Sequence, residues 1–114
     1  MDMADGAQEL DPEWTEVGNN VCGTLHGCRD ASSVAERFVG AGWGSRSSSW
    51  DGHEVETSWC QVELDPIDGS RVLLNGVVDP QRFEELAGLL HHFGLRYSLE
   101  LDDADTDLAR EIRA

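Results

Sequence analysis

Leu74-Asn75-Gly76-Val77-Val78-Asp79-Pro80 decides the fold, because it restates an earlier stretch, Leu25-His26-Gly27-Cys28-Arg29-Asp30. With Leu25 set on Leu74, the Gly and the Asp recur, Val34 falls on Phe83, and Glu36 falls on Glu85. Each copy reads as an extended segment ending in Gly-x-x-Asp, with the Asp placed to cap a helix N-terminus. Pro80 strengthens the second case, since a missing N–H costs nothing at the first helical position. That helix runs to about Phe93, with Phe83, Leu86, Ala87, Leu90 and Phe93 on one face and Gly94 just past its end. The first helix is shorter, turns Ala31, Val34, Ala35 and Phe38 inward, and stops at Gly40-Ala41-Gly42.

After each helix an extended segment resumes and folds back. Ser45–Trp50 meets the two-residue turn Asp51-Gly52 before a strand over His53–Leu64. In the second copy Arg96–Leu101 meets an acidic turn over Asp102–Asp107, and Leu108–Ile112 fits a strand or a helix face equally. Asp65–Ser70 reads as the turn between copies. The expected fold is α+β, two βαββ repeats (about 20–64 and 71–113) in one antiparallel sheet with both helices on one face. Its core resembles the ferredoxin-like plait, a likeness of fold that carries no function. Alternation turns Val21, Leu25, Val72, Leu74, Leu99 and Val55 under the helices, with Thr57 and Trp59. The opposite face then carries Thr24, His26, Leu73, Asn75 and Val77 beside Arg96, Ser98, Glu54, Glu56 and Glu100.

The chain has 114 residues, enough for one domain, and 39% apolar against 27% charged residues, within the globular range. Residues 1–13 carry five acids, no base and one large aliphatic, Leu10, and read as an acidic flexible tail before a single domain over 14–114. Against 23 acidic residues stand 8 basic ones, all Arg, giving a net charge of −15. That balance speaks against nucleic acid or an anionic membrane as partner, because both demand clustered positive charge. The start of the chain shows no secretory pattern, and the odd count of three cysteines suits a reducing compartment, so a cytoplasmic address is expected.

No constellation of letters survives as a metal or cofactor site. Cys22, His26 and Cys28 share a strand face, but the two cysteines lie about 20 Å apart along a straight strand, too far for one ion. His91 and His92 diverge by about 100° around a helix. Asp103-x-Asp105-x-Asp107 imitates a calcium loop, yet Leu108 stands where an EF-hand requires Gly and Ala114 where it requires Glu. Gly40–Gly44 follows a helix instead of preceding one, so no helix dipole serves a phosphate there. No nucleophile elbow is present.

Small size and strong acidity point to a non-enzymatic module that binds a basic protein partner, a profile similar to small immunity proteins and inhibitors. Its expected contact residues are Trp50 at the hairpin tip, Glu54 and Glu56, Glu100 and Asp102, and the turn acids Asp103, Asp105 and Asp107. One alternative is a small-molecule binder or enzyme, since paired βαββ-type units are similar to vicinal-oxygen-chelate proteins. That resemblance implies metal ligands on strands; His26 has Asn75 as its repeat counterpart, so one implied ligand is missing, and Glu111 supplies another only if the C-terminal segment is a strand. The other alternative is a structural or regulatory homo-oligomer, such as a homodimer formed through the open sheet face.

Overall fold

The computed structural model describes residues 10–16, 18–28, 30–48, 50–103 and 108–113. Its helices are α1 (Pro12–Thr15), α2 (Ala31–Gly40) and α3 (Phe83–His92), the last entered through a 3-10 turn at Pro80–Arg82. Its strands are β1 (Val21–His26), β2 (Gly44–Ser47), β3 (His53–Thr57), β4 (Cys60–Asp68), β5 (Arg71–Val78), β6 (Arg96–Asp103) and β7 (Leu108–Arg113). The protein is therefore α+β, with a seven-stranded antiparallel sheet in the order β2-β3-β4-β5-β1-β6-β7. The C-terminal segment is a strand, paired along β6 from Ser98↔Arg113 to Asp103↔Leu108.

The helices form where the apolar periodicity places them. Ala31, Val34, Ala35 and Phe38 are the buried face of α2, and Phe83, Leu86, Ala87 and Leu90 that of α3. Both faces close on the same side of the sheet, joining Val21, Leu25, Val55, Val62, Leu74 and Leu99 in one cluster. Asp30 caps α2 through its Oδ1, which accepts from the Ser33 N–H at 2.8 Å, and Asp79 caps the 3-10 turn at the Gln81 N–H at 2.9 Å. Gly94, at φ 79°, lets the chain leave α3 through the left-handed region. An aromatic wall completes the core, with Phe38 4.8 Å from Trp43 and Trp43 5.4 Å from Trp59, and Arg82 stacked on Trp59.

Four local expectations are corrected. The single strand over His53–Leu64 is two strands, because Ser58-Trp59 turn the chain and Thr57 pairs with Cys60. The turn carbonyls are occupied, Ser58 O accepting from the Asp11 N–H and Trp59 O from the Asp79 N–H, which holds the break in place. The β2–β3 connection is not a two-residue turn; Ser47 pairs with His53 and the Ser48 N–H donates to Gly52 O, so the loop covers 48–52. The turn expected over Asp65–Ser70 is shorter, since β4 runs to Asp68 with an irregularity between Pro66 and Asp68. Finally, the two repeated glycines play different parts. Gly27, at φ 78°, ends β1, whereas Gly76 lies inside β5, where a Cβ would overlap the Gln61 carbonyl oxygen and approach Val62 Cα to 2.7 Å. Gly23 in β1 is similarly closed, by Ser98 O and by Leu99. These two positions let neighbouring backbones press together on the helix side.

Residues 1–9 lie outside the described residues, but Leu10 is buried, and its N–H donates to Glu56 Oε2 at 2.9 Å. Among the described residues no helix is long and apolar enough to cross a membrane.

Candidate functional site

The helices α2 and α3 cover one sheet face; among the described residues the other is open except near Leu10, whose N–H meets Glu56, and at Val77, which is buried. Strand registers fix what stands side by side there. One row runs Arg46↔Glu54↔Glu63↔Asn75↔Cys22↔Glu100↔Glu111 from β2 to β7. Arg46 begins it, and Glu54 and Glu63 on one flank and Glu100 and Glu111 on the other enclose a neutral middle. The β3–β4 flank holds Glu54, Glu56, Glu63 and Asp65, with Asp51 from the hairpin loop close enough to act on Asp65. The β6–β7 flank holds Glu100, Asp102 and Glu111. Three strand spacings separate Glu63 from Glu100, about 14 Å.

The flanks are unequally neutralised. Arg46 donates from Nε to Glu54 at 2.6 Å and reaches Glu56 at 3.7 Å, and Arg113 pairs with Glu111 at 2.6 Å. Among the described residues no basic side chain pairs with Glu63, Glu100 or Asp65. Partial burial, then the charges of Glu63 and Asp51, push the Asp65 carboxyl above the usual range for an aspartate. Burial and Glu100 likewise push up the Cys22 thiol. A depression of about 340 Å³ opens at this point, lined by Asn20, Cys22, Asn75, Glu100 and Asp102 among others. Asn20 is fixed at its rim, donating to Val78 O at 2.9 Å and accepting from the Val78 N–H at 2.8 Å.

The eight expected contact residues do not form one patch. Trp50 is 95% exposed in the β2–β3 loop, on the side of Glu54 and Glu56. Glu100 and Asp102 stand on β6, beyond β4, β5 and β1. Asp103 ends β6, and Asp105 and Asp107 lie outside the described residues. Glu56 has a structural task, accepting from the Leu10 N–H and, at 3.3 Å, from Gln61. Glu63 was missed. Counting alternation from Val55 through an unbroken strand turns residue 63 inward, and the Ser58-Trp59 turn reverses that parity. The signal available was the alternation of Val62 and Leu64, out of phase with Val55 and Thr57.

The cysteines are free, with Cys22 exposed and Cys28 and Cys60 buried. His26 and Asn75 stand on adjacent strands but in different rows, and Glu111 lies beyond β6 from both. Among the described residues no three His, Cys, Asp or Glu side chains are placed to hold one metal ion. Comparison with protein-family models, curated proteins and solved structures finds no match to this chain.

Proposed function

We propose that this protein is a non-enzymatic binding module, of inhibitor or immunity type, whose open sheet face receives a basic partner protein. One observation carries the reading: Glu54 faces Glu63, and Glu100 faces Glu111, as directly opposed like charges on neighbouring strands. Such pairs oppose folding; Arg46 offsets the charge of Glu54 and Arg113 that of Glu111, which leaves Glu63 and Glu100 without a cationic partner among the described residues. A cationic side chain arriving between two carboxylates turns that repulsion into attraction. With a net charge of −15 the field around the face also accelerates capture of a basic protein. The same charges oppose the face-to-face homodimer, which would set acid against acid.

The sheet order supports a plait-like reading of the core. The central strands run β4-β5-β1-β6, and α2 delivers the chain to the outer strand β2, from which β3 and β4 step back inward. On this reading a ferredoxin-like plait carries an inserted hairpin, and that insertion brings the carboxylates of β3 onto the open face.

The test uses the tagged full chain as bait, beside the double variant Glu63→Lys, Glu100→Lys. The expected result is a stoichiometric basic protein held by the wild type at low salt, released at about 0.5 M salt, and not held by the variant. Equal retention by both baits refutes the reading.

A further inference from the structure

The open face is not acidic throughout. At the end of β1 furthest from Val21, His26 stands directly opposite Arg71 of β5 on one side and Arg96 of β6 on the other. All three are exposed and point away from the core, since their neighbours Leu25, Val72 and Tyr97 are buried beneath the helices. The chain has eight basic residues against 23 acidic ones, yet two of those eight flank one histidine in a single cross-strand row. The two guanidinium charges crowd one end of the open face, with the imidazole between them. One neighbour offsets the crowding on one side only: Asp68 Oδ2 accepts from Arg71 Nε at 3.0 Å and from its terminal nitrogen at 2.9 Å. A guanidinium has five N–H donors, so most of its fork remains available. Among the described residues no carboxylate pairs with Arg96. The next row inward on the same face sets Thr24 opposite Ser98, with Leu73, 39% exposed, on the other side of Thr24.

We infer that this row is a binding site for a single oxyanion group, a phosphoryl or a carboxylate, on a small organic ligand. Two strand spacings, about 10 Å, separate the Arg71 and Arg96 backbones; Asp68 holds Arg71 from the β4 side, so an anion bridging both arginines is met by the remaining N–H donors of Arg71 or by Arg71 turned toward His26. Arginine forks match planar and tetrahedral oxyanions by paired N–H donation, and the hydroxyls of Thr24 and Ser98 add donors on the inward side. Leu73 offers an apolar seat to the body of such a ligand. A polyanion is disfavoured, because its further charges would meet the acidic flanks, whereas one oxyanion is held within the row. The site is independent of the basic-partner reading, for it lies about 13 Å along β1 from the Cys22–Glu100 row.

Separate titrations of methyl phosphate and of acetate into the 114-residue chain, at low chloride, test it by NMR at the His26 ring and the arginine Nε–H groups. The expected result is saturable shifts at His26, Arg71 and Arg96 with at least one anion, the stronger of the two naming the head group. Arg96→Gln, an exposed change that leaves the amide spectrum folded, is expected to weaken binding about tenfold. Glu63→Gln, which damages only the acidic flank, is expected to leave anion binding in place. Failure of both anions to saturate by about 50 mM overturns the inference, as does an affinity unchanged by Arg96→Gln.

Discussion

Gly76→Ala places a methyl group where the backbone of β4 already lies, overlapping Gln61 O and standing 2.7 Å from Val62 Cα. Both obstacles are main chain, so no side-chain rotation relieves them. β4 and β5 are central strands, registered from Cys60↔Val78 to Asp68↔Arg71, and moving one displaces the other along that ladder. Overpacking of this kind costs about 1–3 kcal/mol, and an immovable backbone places Gly76→Ala at about 3 kcal/mol. A domain of this size has about 5–15 kcal/mol in total, so the loss is a large fraction of it and lowers Tm by roughly 10 °C or more. Gly88 in α3 is the internal control, because a Cβ there meets nothing within 4 Å. Gly88→Ala is expected to stabilise by about 0.5–1 kcal/mol, through helix propensity alone. Urea unfolding of both variants beside the wild type gives the comparison. A Gly76→Ala protein within about 0.5 kcal/mol of wild type would refute the close approach of β4 and β5.

Four further outcomes are expected. Asp30→Ala removes the cap of α2 and costs about 1 kcal/mol, read from the urea midpoint. Asp65 has a folded-state pKa above its unfolded one, so its favourable contribution is full only in acid and is lost as pH rises through the folded value. Asp65→Asn should therefore stabilise at neutral pH and become neutral in effect below the carboxylate range, and equal effects at both pH values would contradict this. In thiol labelling of the native protein, Cys22 should react while Cys60 stays silent until unfolding, since full burial drives the Cys60 thiol far up and shields it. Glu100→Gln should speed Cys22 labelling at fixed pH, because Glu100 is one of the two causes that raise its thiol.

Both long helices were legible because their signals are local. The apolar faces Ala31-Val34-Ala35-Phe38 and Phe83-Leu86-Ala87-Leu90 repeat with helical spacing, and Asp30 caps α2 where expected, while Asp79 caps the 3-10 turn at Pro80–Arg82 and α3 begins at Phe83 without a side-chain cap. The inward set of β1, β5 and β6 followed from alternation for the same reason. Legibility failed where a turn is set by distant contacts. Ser58-Trp59 has no turn residue beyond a serine, and its carbonyls are held by Asp11 and Asp79, far away in sequence. That one unseen turn hid β4, reversed the face of Glu63, and made the acidic flank look one strand wide. The cationic row was hidden differently. Arg71, His26 and Arg96 come from three separate strands, and only the register sets them in line.

On the proposed reading, cations are received on the open face and not wherever acid occurs. Backbone NMR during titration with a short oligoarginine peptide tests this most directly, because Glu36, Glu84 and Glu85 on the helix side are exposed acids of the same chemistry. Saturable shifts are expected, concentrated on β3–β4 and β6–β7 and abolished at about 0.5 M salt and in the Glu63→Lys, Glu100→Lys variant. Shifts spread evenly over α2, α3 and the sheet, undiminished in that variant, would contradict the reading.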